Sequence, residues 1–402
     1  MRIQDIRFHG ENGQGLLTAA VCPAHSGVDS TRVWFRFPAA KRPPNPGDVM
    51  LSAFLVPSMQ AGEDLDIAAQ VSTRLMAAVP GIQDILLNWY PAFRRSRVHA
   101  MAGVEVLSAQ GGTAAFFSAG VDSIYTAIDP ALEVDRLVLV HGFENPEHRQ
   151  DLLRTTLSAV EPVARMLNKE LIVVSTNLRS VADRSRPRWG KRFNGPFFGF
   201  CWMGSFLAAL GHCMQMQYRR FVIPASLSLD ALYPYGSHPH LDPLWSSQGL
   251  EIIHHGAGAG RLEKIRSIAA HNPEIAEWFQ VCESNPPGQI NCGDCDKCLR
   301  TRLALRLAGI KEPTPAFPRP PKWSRWPLIA DRNRWQSEYA DLLQWCRDGD
   351  EPEAVSALEA ILKPQPGWRD LYPGVRRRVK SVAWRWAPSL VERMRGRRRR
   401  GW

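Results

Sequence analysis

One short segment of the sequence has residue types that suit the binding of a phosphate group. Residues 116–123 read Phe-Phe-Ser-Ala-Gly-Val-Asp-Ser, so an apolar stretch leads into small and hydroxyl-bearing residues. Small residues let a phosphate approach the backbone closely, and the free N–H groups at a helix N-terminus attract anions. Ser118 and Ser123 offer hydroxyl donors, and Asp122 could cap the helix or ligate Mg²⁺. The segment therefore predicts a loop that grips pyrophosphate in an ATP-using enzyme.

Four cysteines have the spacing of a metal site. Cys282, Cys292, Cys295 and Cys298 are separated by nine, two and two residues. Thiolates at two-residue spacing surround a tetrahedral ion, and a more distant thiolate completes the set. We predict a closed, structural Zn²⁺ site, with an iron–sulfur cluster or no metal as the alternatives. The two-residue gaps Cys292–Cys295 and Cys295–Cys298 share Cys295, which could pair with only one of its neighbours, so redox disulfides fit the spacing less well.

An alternation of apolar strands and helices would position both groups of residues. Strands are predicted at Ala114–Phe117, Leu137–Val140, Leu171–Ser175, Phe221–Ala225 and Leu250–His254, with helices between them. Near-continuous apolar strands are typical of a parallel sheet that is covered on both faces. We therefore predict an α/β fold with a doubly wound, five-stranded parallel sheet and a zinc knuckle.

The predicted nucleotide-binding domain covers residues 109–310 and is flanked by three further parts. Residues 1–108 are predicted to form an N-terminal α+β domain without a chemical motif. In this domain Val49–Val56 resembles a short strand, and a helix is predicted over Asp64–Ala78. A proline-rich linker with helices follows at 311–370, so the C-terminal extension is helical. Residues 371–402 form a basic amphipathic tail.

The net charge of +11 comes almost entirely from this tail. Eleven basic residues and one acidic residue lie between positions 376 and 400, a net contribution of +10. The rest of the chain is close to neutral, and its charge gives no reason to expect nucleic-acid binding. A basic tail with tryptophans suits an anionic membrane surface, an RNA, or a disordered segment without a partner.

The predicted location is the cytoplasm, with peripheral attachment to a membrane through the tail as one alternative. No apolar run approaches the roughly 18–20 residues that span a bilayer. The N-terminus also carries charge where a signal peptide would have its apolar stretch.

Residues 118–123 resemble the Ser-Gly-Gly-x-Asp-Ser signature of the PP-loop ATP pyrophosphatase superfamily, with Ala119 in place of the usual first glycine. Those enzymes cleave ATP between the α- and β-phosphates and activate a carboxylate or carbonyl oxygen as an adenylate. Together with the cysteine pattern, residues 113–308 resemble 7-cyano-7-deazaguanine synthase, an enzyme of queuosine biosynthesis. The resemblance implies a Rossmann-like fold of the adenine nucleotide alpha hydrolase type, with ATP, Mg²⁺ and Zn²⁺ as cofactors.

The resemblance also implies a set of site residues. Asp122 and Lys264 are the expected catalytic residues, and Lys264 would neutralise phosphate charge in the transition state. A solvated lysine on a helix is the alternative for Lys264. The expected nucleotide-binding residues are Ser118, Ala119, Gly120, Val121, Asp122, Ser123, His141, Gly142, Thr176 and Ser226.

The expected function is that of an ATP-dependent carbon–nitrogen ligase. It would adenylate an unidentified small acid or carbonyl compound and release pyrophosphate and then AMP. A homodimer is one possible assembly. One alternative is a tRNA-thiolating enzyme, which would need Cys201 or Cys213 as a persulfide-bearing cysteine. The other alternative is a degenerate ATP-binding module whose tail binds a membrane or RNA.

Overall fold

A computed structural model describes most of the chain. The described residues are 1–24, 30–38, 43–103, 111–143, 146–185, 198–282, 286, 288–347 and 351–363. The predicted basic tail, residues 371–402, lies outside the described residues. No helix in the described ranges is both long enough and apolar enough to cross a membrane. The domain boundaries proposed above stay predictions.

The described residues form ten strands and twelve helices, apart from short single-turn segments. The strands are β1 (Arg2–Glu11), β2 (Gln14–Cys22), β3 (Thr31–Pro38), β4 (Leu65–Val71), β5 (Val98–Ala102), β6 (Thr113–Phe116), β7 (Arg136–His141), β8 (Glu170–Thr176), β9 (Arg220–Pro224) and β10 (Glu251–His255). The helices are α1 (Pro46–Ala61), α2 (Thr73–Trp89), α3 (Val121–Ile128), α4 (Gln150–Met166), α5 (Leu178–Ser185), α6 (Met203–Cys213), α7 (Arg261–His271), α8 (Pro273–Ala276), α9 (Asp296–Leu307), α10 (Trp326–Ile329), α11 (Arg332–Cys346) and α12 (Pro352–Leu362).

All ten strands belong to one mixed sheet, in the order β10-β9-β6-β7-β8-β3-β2-β1-β4-β5. The strands from β10 to β8 are parallel neighbours, whereas β8, β3, β2 and β1 pair antiparallel in turn. The predicted fold class, a doubly wound five-stranded parallel sheet with a separate N-terminal domain, is therefore wrong. The N-terminal strands extend the same sheet.

The junction between β3 and β8 explains this difference. Only two residue pairs, Phe35 with Thr176 and Arg36 with Ser175, form the strand ladder. Side chains continue the pairing beyond it: the Trp34 amide donates to Asn177 Oδ1 over 2.8 Å, and Thr176 Oγ1 donates to the Trp34 carbonyl over 2.7 Å. These bonds satisfy backbone groups that would otherwise form an open sheet edge.

Two further local predictions in the N-terminal part are also wrong. Val49–Val56, predicted as a strand, lies within α1, which is buried nearly all round between the sheet and α6. The predicted helix over Asp64–Ala78 is instead strand β4 followed by the start of α2. An apolar run of this length fits a buried helix and a buried strand equally well, so the pattern alone does not decide.

The two faces of the sheet bury two hydrophobic cores. One core lies under α1 and α6 and reaches across most of the sheet, from Ile67 in β4 to Ile252 in β10. The other lies under α3, α4 and α7 and includes residues of α9, α11 and α12. This second core is continuous with the cysteine cluster, because Cys282 and Cys298 belong to it.

Candidate active site and metal centre

A cavity of about 410 Å³ opens at the carboxyl ends of β6, β7 and β9. Ligands of open α/β sheets bind at this position, where loops leave the parallel strands. Most of the predicted nucleotide-binding residues line it. They are Ser118, Gly120, Val121, Asp122, Ser123, His141, Gly142 and Ser226.

Thr176, also predicted to bind the nucleotide, does not line the cavity and instead stabilises the junction of β3 with β8. Its buried hydroxyl donates to the Trp34 carbonyl in the junction of β3 with β8 and accepts from the Leu178 amide over 3.1 Å. Its carbonyl oxygen also packs against Gly142, whose φ is +97°. A Cβ added at Gly142 would lie 1.9 Å from that oxygen, so this contact requires glycine.

The loop before α3 is held by its own side chains. The Ser118 amide donates to Ser123 Oγ over 3.3 Å, and the Ser123 hydroxyl donates to the Gly120 carbonyl over 3.0 Å. Gly120 is the extended residue at the start of α3, and a Cβ there would lie 3.3 Å from Ser118 Oγ. The first turn of α3 therefore faces the cavity with its N-terminal partial positive charge.

Ala119 lies in the loop but points away from the cavity. Its φ is +54°, and its side chain is fully buried in the core beneath the loop. Its carbonyl accepts a hydrogen bond from the Gln280 amide over 2.9 Å. The glycine of the resembled signature would adopt this left-handed conformation without strain, whereas alanine adopts it at some cost.

We expect Ala119→Gly to change the free energy of unfolding by less than about 1 kcal/mol. Glycine adopts the left-handed conformation without strain, which stabilises the folded chain by roughly 1–2 kcal/mol. The variant also loses a buried methyl group and gains backbone freedom in the unfolded chain, and these two effects offset most of that stabilisation. Ala119→Val should instead destabilise the chain by about 2 kcal/mol or more, because a β-branched residue fits this conformation poorly. Urea unfolding of both variants measures the difference. Equal effects of glycine and valine would contradict the left-handed conformation.

The two predicted catalytic residues form an ion pair at the edge of the cavity. Lys264 Nζ donates to Asp122 Oδ1 over 2.8 Å and to the Ala225 carbonyl over 2.7 Å. The Lys264 side chain is only 2% exposed, whereas Asp122 is 25% exposed and lines the cavity. Lys264 is therefore not a solvated lysine on a helix surface.

Charge around Asp122 keeps it ionised. Burial alone would raise the pKa of this carboxyl group, but the positive charges of Lys264 and Arg261 outweigh burial. The hydrogen bond from Lys264 and the charge of Lys297 act in the same direction, so the pKa of Asp122 lies below its ordinary value. Asp122 therefore carries negative charge at neutral pH.

Three cationic side chains that sequence reasoning did not assign to the site also line the cavity. They are Arg179, Arg261 and Lys297. Arg179 and Arg261 have protein partners, the Phe143 carbonyl and the Thr301 hydroxyl. Lys297 could have been found from its place between Cys295 and Cys298, because a metal knuckle fixes the backbone on both sides of it. Asp122 is the one carboxylate among the described lining residues, so this part of the cavity suits an anion.

The four cysteines converge as predicted and could hold a metal ion such as zinc. Their Sγ atoms all lie within 4.8 Å of one another, and none forms a disulfide. The Sγ atoms of Cys292 and Cys298 are 3.8 Å apart. A tetrahedral zinc ion with bonds of 2.3 Å would hold its sulfurs about 3.8 Å apart, so the cluster fits one ion. An iron–sulfur cluster would hold them further apart, because its iron and sulfide ions lie between them.

Local contacts also support ligation. The amides of Cys292 and Cys295 donate to the thiol sulfurs of Cys282 and Cys292, over 3.4 and 3.3 Å. The thiols share hydrogen bonds, which lower the pKa of Cys292 and raise that of Cys298. Gly293 has φ +80°, which allows the tight turn between the ligands. Four thiolates would fill the coordination shell of a zinc ion, so an ion held here would have no open position for substrate.

Comparison with known family models, with curated proteins and with solved structures finds no match to this chain. The cavity and the cysteine cluster are therefore the two features from which a function can be inferred.

The two cysteines required by the thiolation alternative lie elsewhere. Cys201 and Cys213 are almost completely buried, and neither lines the cavity. Burial raises the pKa of both thiols, so both are protonated at neutral pH. Protonated, inaccessible thiols are poor nucleophiles and poor persulfide carriers.

Proposed function

We propose that this protein is an ATP-dependent ligase that adenylates a carboxylate or carbonyl substrate and then joins nitrogen to it. The reaction would resemble that of 7-cyano-7-deazaguanine synthase, with an unidentified small molecule as the substrate. One observation carries it: the Ser118–Ser123 loop, the Asp122–Lys264 pair and the cations Arg261 and Lys297 meet in a single cavity. Arg179 lines the same cavity.

In this proposal the triphosphate lies against the loop and the first turn of α3. The backbone N–H groups there and the side chains of Arg261 and Lys297 would bind the β- and γ-phosphates. Lys264 holds Asp122 in place, and Asp122 would ligate a Mg²⁺ ion that neutralises phosphate charge. His141 and Gly142, at the end of β7, would contact the nucleoside.

The acceptor would occupy the part of the cavity beyond the α-phosphate. Met203, Leu207 and Tyr235, which line the cavity, would contact it there. An oxygen of the acceptor carboxylate attacks the α-phosphorus, the bond to the bridging oxygen breaks, and pyrophosphate leaves. Ammonia then attacks the activated carbon, AMP leaves with the bond electrons, and a proton is lost from nitrogen. The cations around the loop stabilise the charge that develops on pyrophosphate.

The test is product analysis with Mg-ATP, ammonium and a panel of small carboxylic acids. AMP and pyrophosphate should appear in equal amounts and only with a suitable acid. Release of ADP and phosphate would contradict the proposal. ATP binding without turnover on any acid would favour a degenerate module. Cys201→Ser should keep full activity, and its inactivity with the metal retained would favour thiolation.

A further inference from the structure

We propose that the cysteine knuckle fixes the position of the phosphate-binding loop, and that Asn291 is the positioning residue that joins them. The inference rests on the proposed function, since it concerns the same cavity. It assigns the metal site a role in nucleotide binding, in addition to stabilising the fold. The connection runs through residues 279–282, which we call the bridging segment.

Asn291 ties the bridging segment to the knuckle. Its side chain is 2% exposed and makes four hydrogen bonds to the backbone. Oδ1 accepts from the amides of Val281 and Cys282, over 2.8 and 3.0 Å. Nδ2 donates to the carbonyls of Phe279 and Ala316, over 2.7 and 3.2 Å. Asn291 directly precedes the ligand Cys292, so any shift of the knuckle moves the bridging segment with it.

The other end of the bridging segment contacts the phosphate-binding loop. The Gln280 amide donates to the Ala119 carbonyl over 2.9 Å. The Gln280 carbonyl also lies so close to Gly120 that a Cβ there would come within 3.4 Å of it. Gln280, Val281 and Cys282 all line the cavity, and Cys282 is a metal ligand as well. The loop is therefore packed against a segment whose position depends on the metal site.

A second connection passes through Lys297. It lies between the ligands Cys295 and Cys298, in the first turn of α9, and its side chain lines the cavity. Closure of the knuckle around a metal fixes both of these ligands. The metal site therefore positions both the Lys297 side chain near Asp122 and the bridging segment that supports Ala119.

The test compares Asn291→Ala with a matched control, Asn272→Ala. Asn272 caps α8 through one bond to the Glu274 amide and lies outside the cavity and the knuckle. Losing it should lower stability but leave nucleotide binding unchanged. Three quantities are measured on the full chain: metal content, the dissociation constant for ATP, and hydrogen exchange of the amides in residues 116–123. Asn291→Ala should retain one metal ion, bind ATP at least tenfold more weakly, and exchange at least tenfold faster in that segment.

The outcomes separate this inference from the proposed function. If the metal-loaded wild type does not bind ATP, the proposed function fails, and hydrogen exchange still tests the connection. Unchanged exchange and unchanged ATP affinity in Asn291→Ala, with the metal retained, would overturn the inference. So would equal effects of Asn272→Ala. Should Asn291→Ala not fold, Asn291→Ser keeps an uncharged polar group at this buried position and is expected to show the same changes.

Discussion

Replacing Lys264 by methionine is expected to lower kcat/KM for the ATP-dependent reaction by about 10²–10³-fold, the usual effect of removing one group that stabilises transition-state charge. The variant removes the ammonium group that donates to both Asp122 Oδ1 and the Ala225 carbonyl. Asp122 then loses its closest cation, so its pKa rises and its orientation is no longer fixed. A matched control is Lys311→Met, because Lys311 is exposed and lies outside the cavity.

The stability effects of the pair should be unequal. Lys264 is buried, so Asp122→Asn leaves an ammonium group in the interior without its counter-charge, at a cost of about 3–5 kcal/mol. Asp122 is partly exposed, so Lys264→Met leaves a carboxylate that water can still screen, and its cost is smaller. The double variant should be more stable than Asp122→Asn alone and equally inactive. If Lys264→Met kept full activity, the catalytic role of the pair would be wrong.

The same pair gives stability a defined pH dependence. The folded-state pKa of Asp122 lies below the ordinary value of 3.8. As the pH falls, Asp122 therefore binds a proton in the unfolded chain at a higher pH than in the folded chain. The stabilisation is therefore fully present above pH 4 or so and is lost as the pH drops through the folded pKa. Urea unfolding between pH 3 and pH 6 should show this loss in the wild type and a weaker one in Lys264→Met.

The grouping of the candidate site residues could be predicted better than the fold, because most of them lie close together in sequence. The loop at Ser118–Ser123 and the cysteines from Cys282 to Cys298 each form within short stretches of chain, where spacing alone limits the geometry. Lys264 and Asp122 are far apart in sequence, and only the resemblance suggested that they act together. The structure brings them into contact.

The extent of the sheet could not be predicted in the same way. The two residue pairs of β3 with β8 and the side-chain bonds of Thr176 and Asn177 join segments some 140 residues apart. A threonine at the end of a strand can hydrogen-bond a nucleotide or a neighbouring backbone equally well, so its residue type does not decide between them. Polar side chains at strand ends can thus be assigned to a site only when the neighbouring strand is known.

Replacing Cys298 by serine should abolish metal binding and lower the free energy of unfolding by more than about 3 kcal/mol. Cys298 is fully buried at the start of α9 and belongs to the core under α3 and α7. Serine cannot supply the fourth thiolate, and the three remaining ligands would be held by a chain whose knuckle no longer closes. Elemental analysis and calorimetry measure the two effects, and the wild type should contain one zinc ion per chain.

Cys346→Ser is the matched control for this prediction. Cys346 is 1% exposed in the same core but lies outside the four-cysteine cluster, so the variant makes the same chemical change at a similar depth. It should lose about 1–2 kcal/mol through burial of a hydroxyl group and retain the metal. Equal metal content in Cys298→Ser and Cys346→Ser would show that Cys298 is not required to hold the ion. Iron with visible absorption in the wild type would indicate an iron–sulfur cluster in place of zinc, a result that the closeness of all four Sγ atoms, within 4.8 Å of one another, opposes.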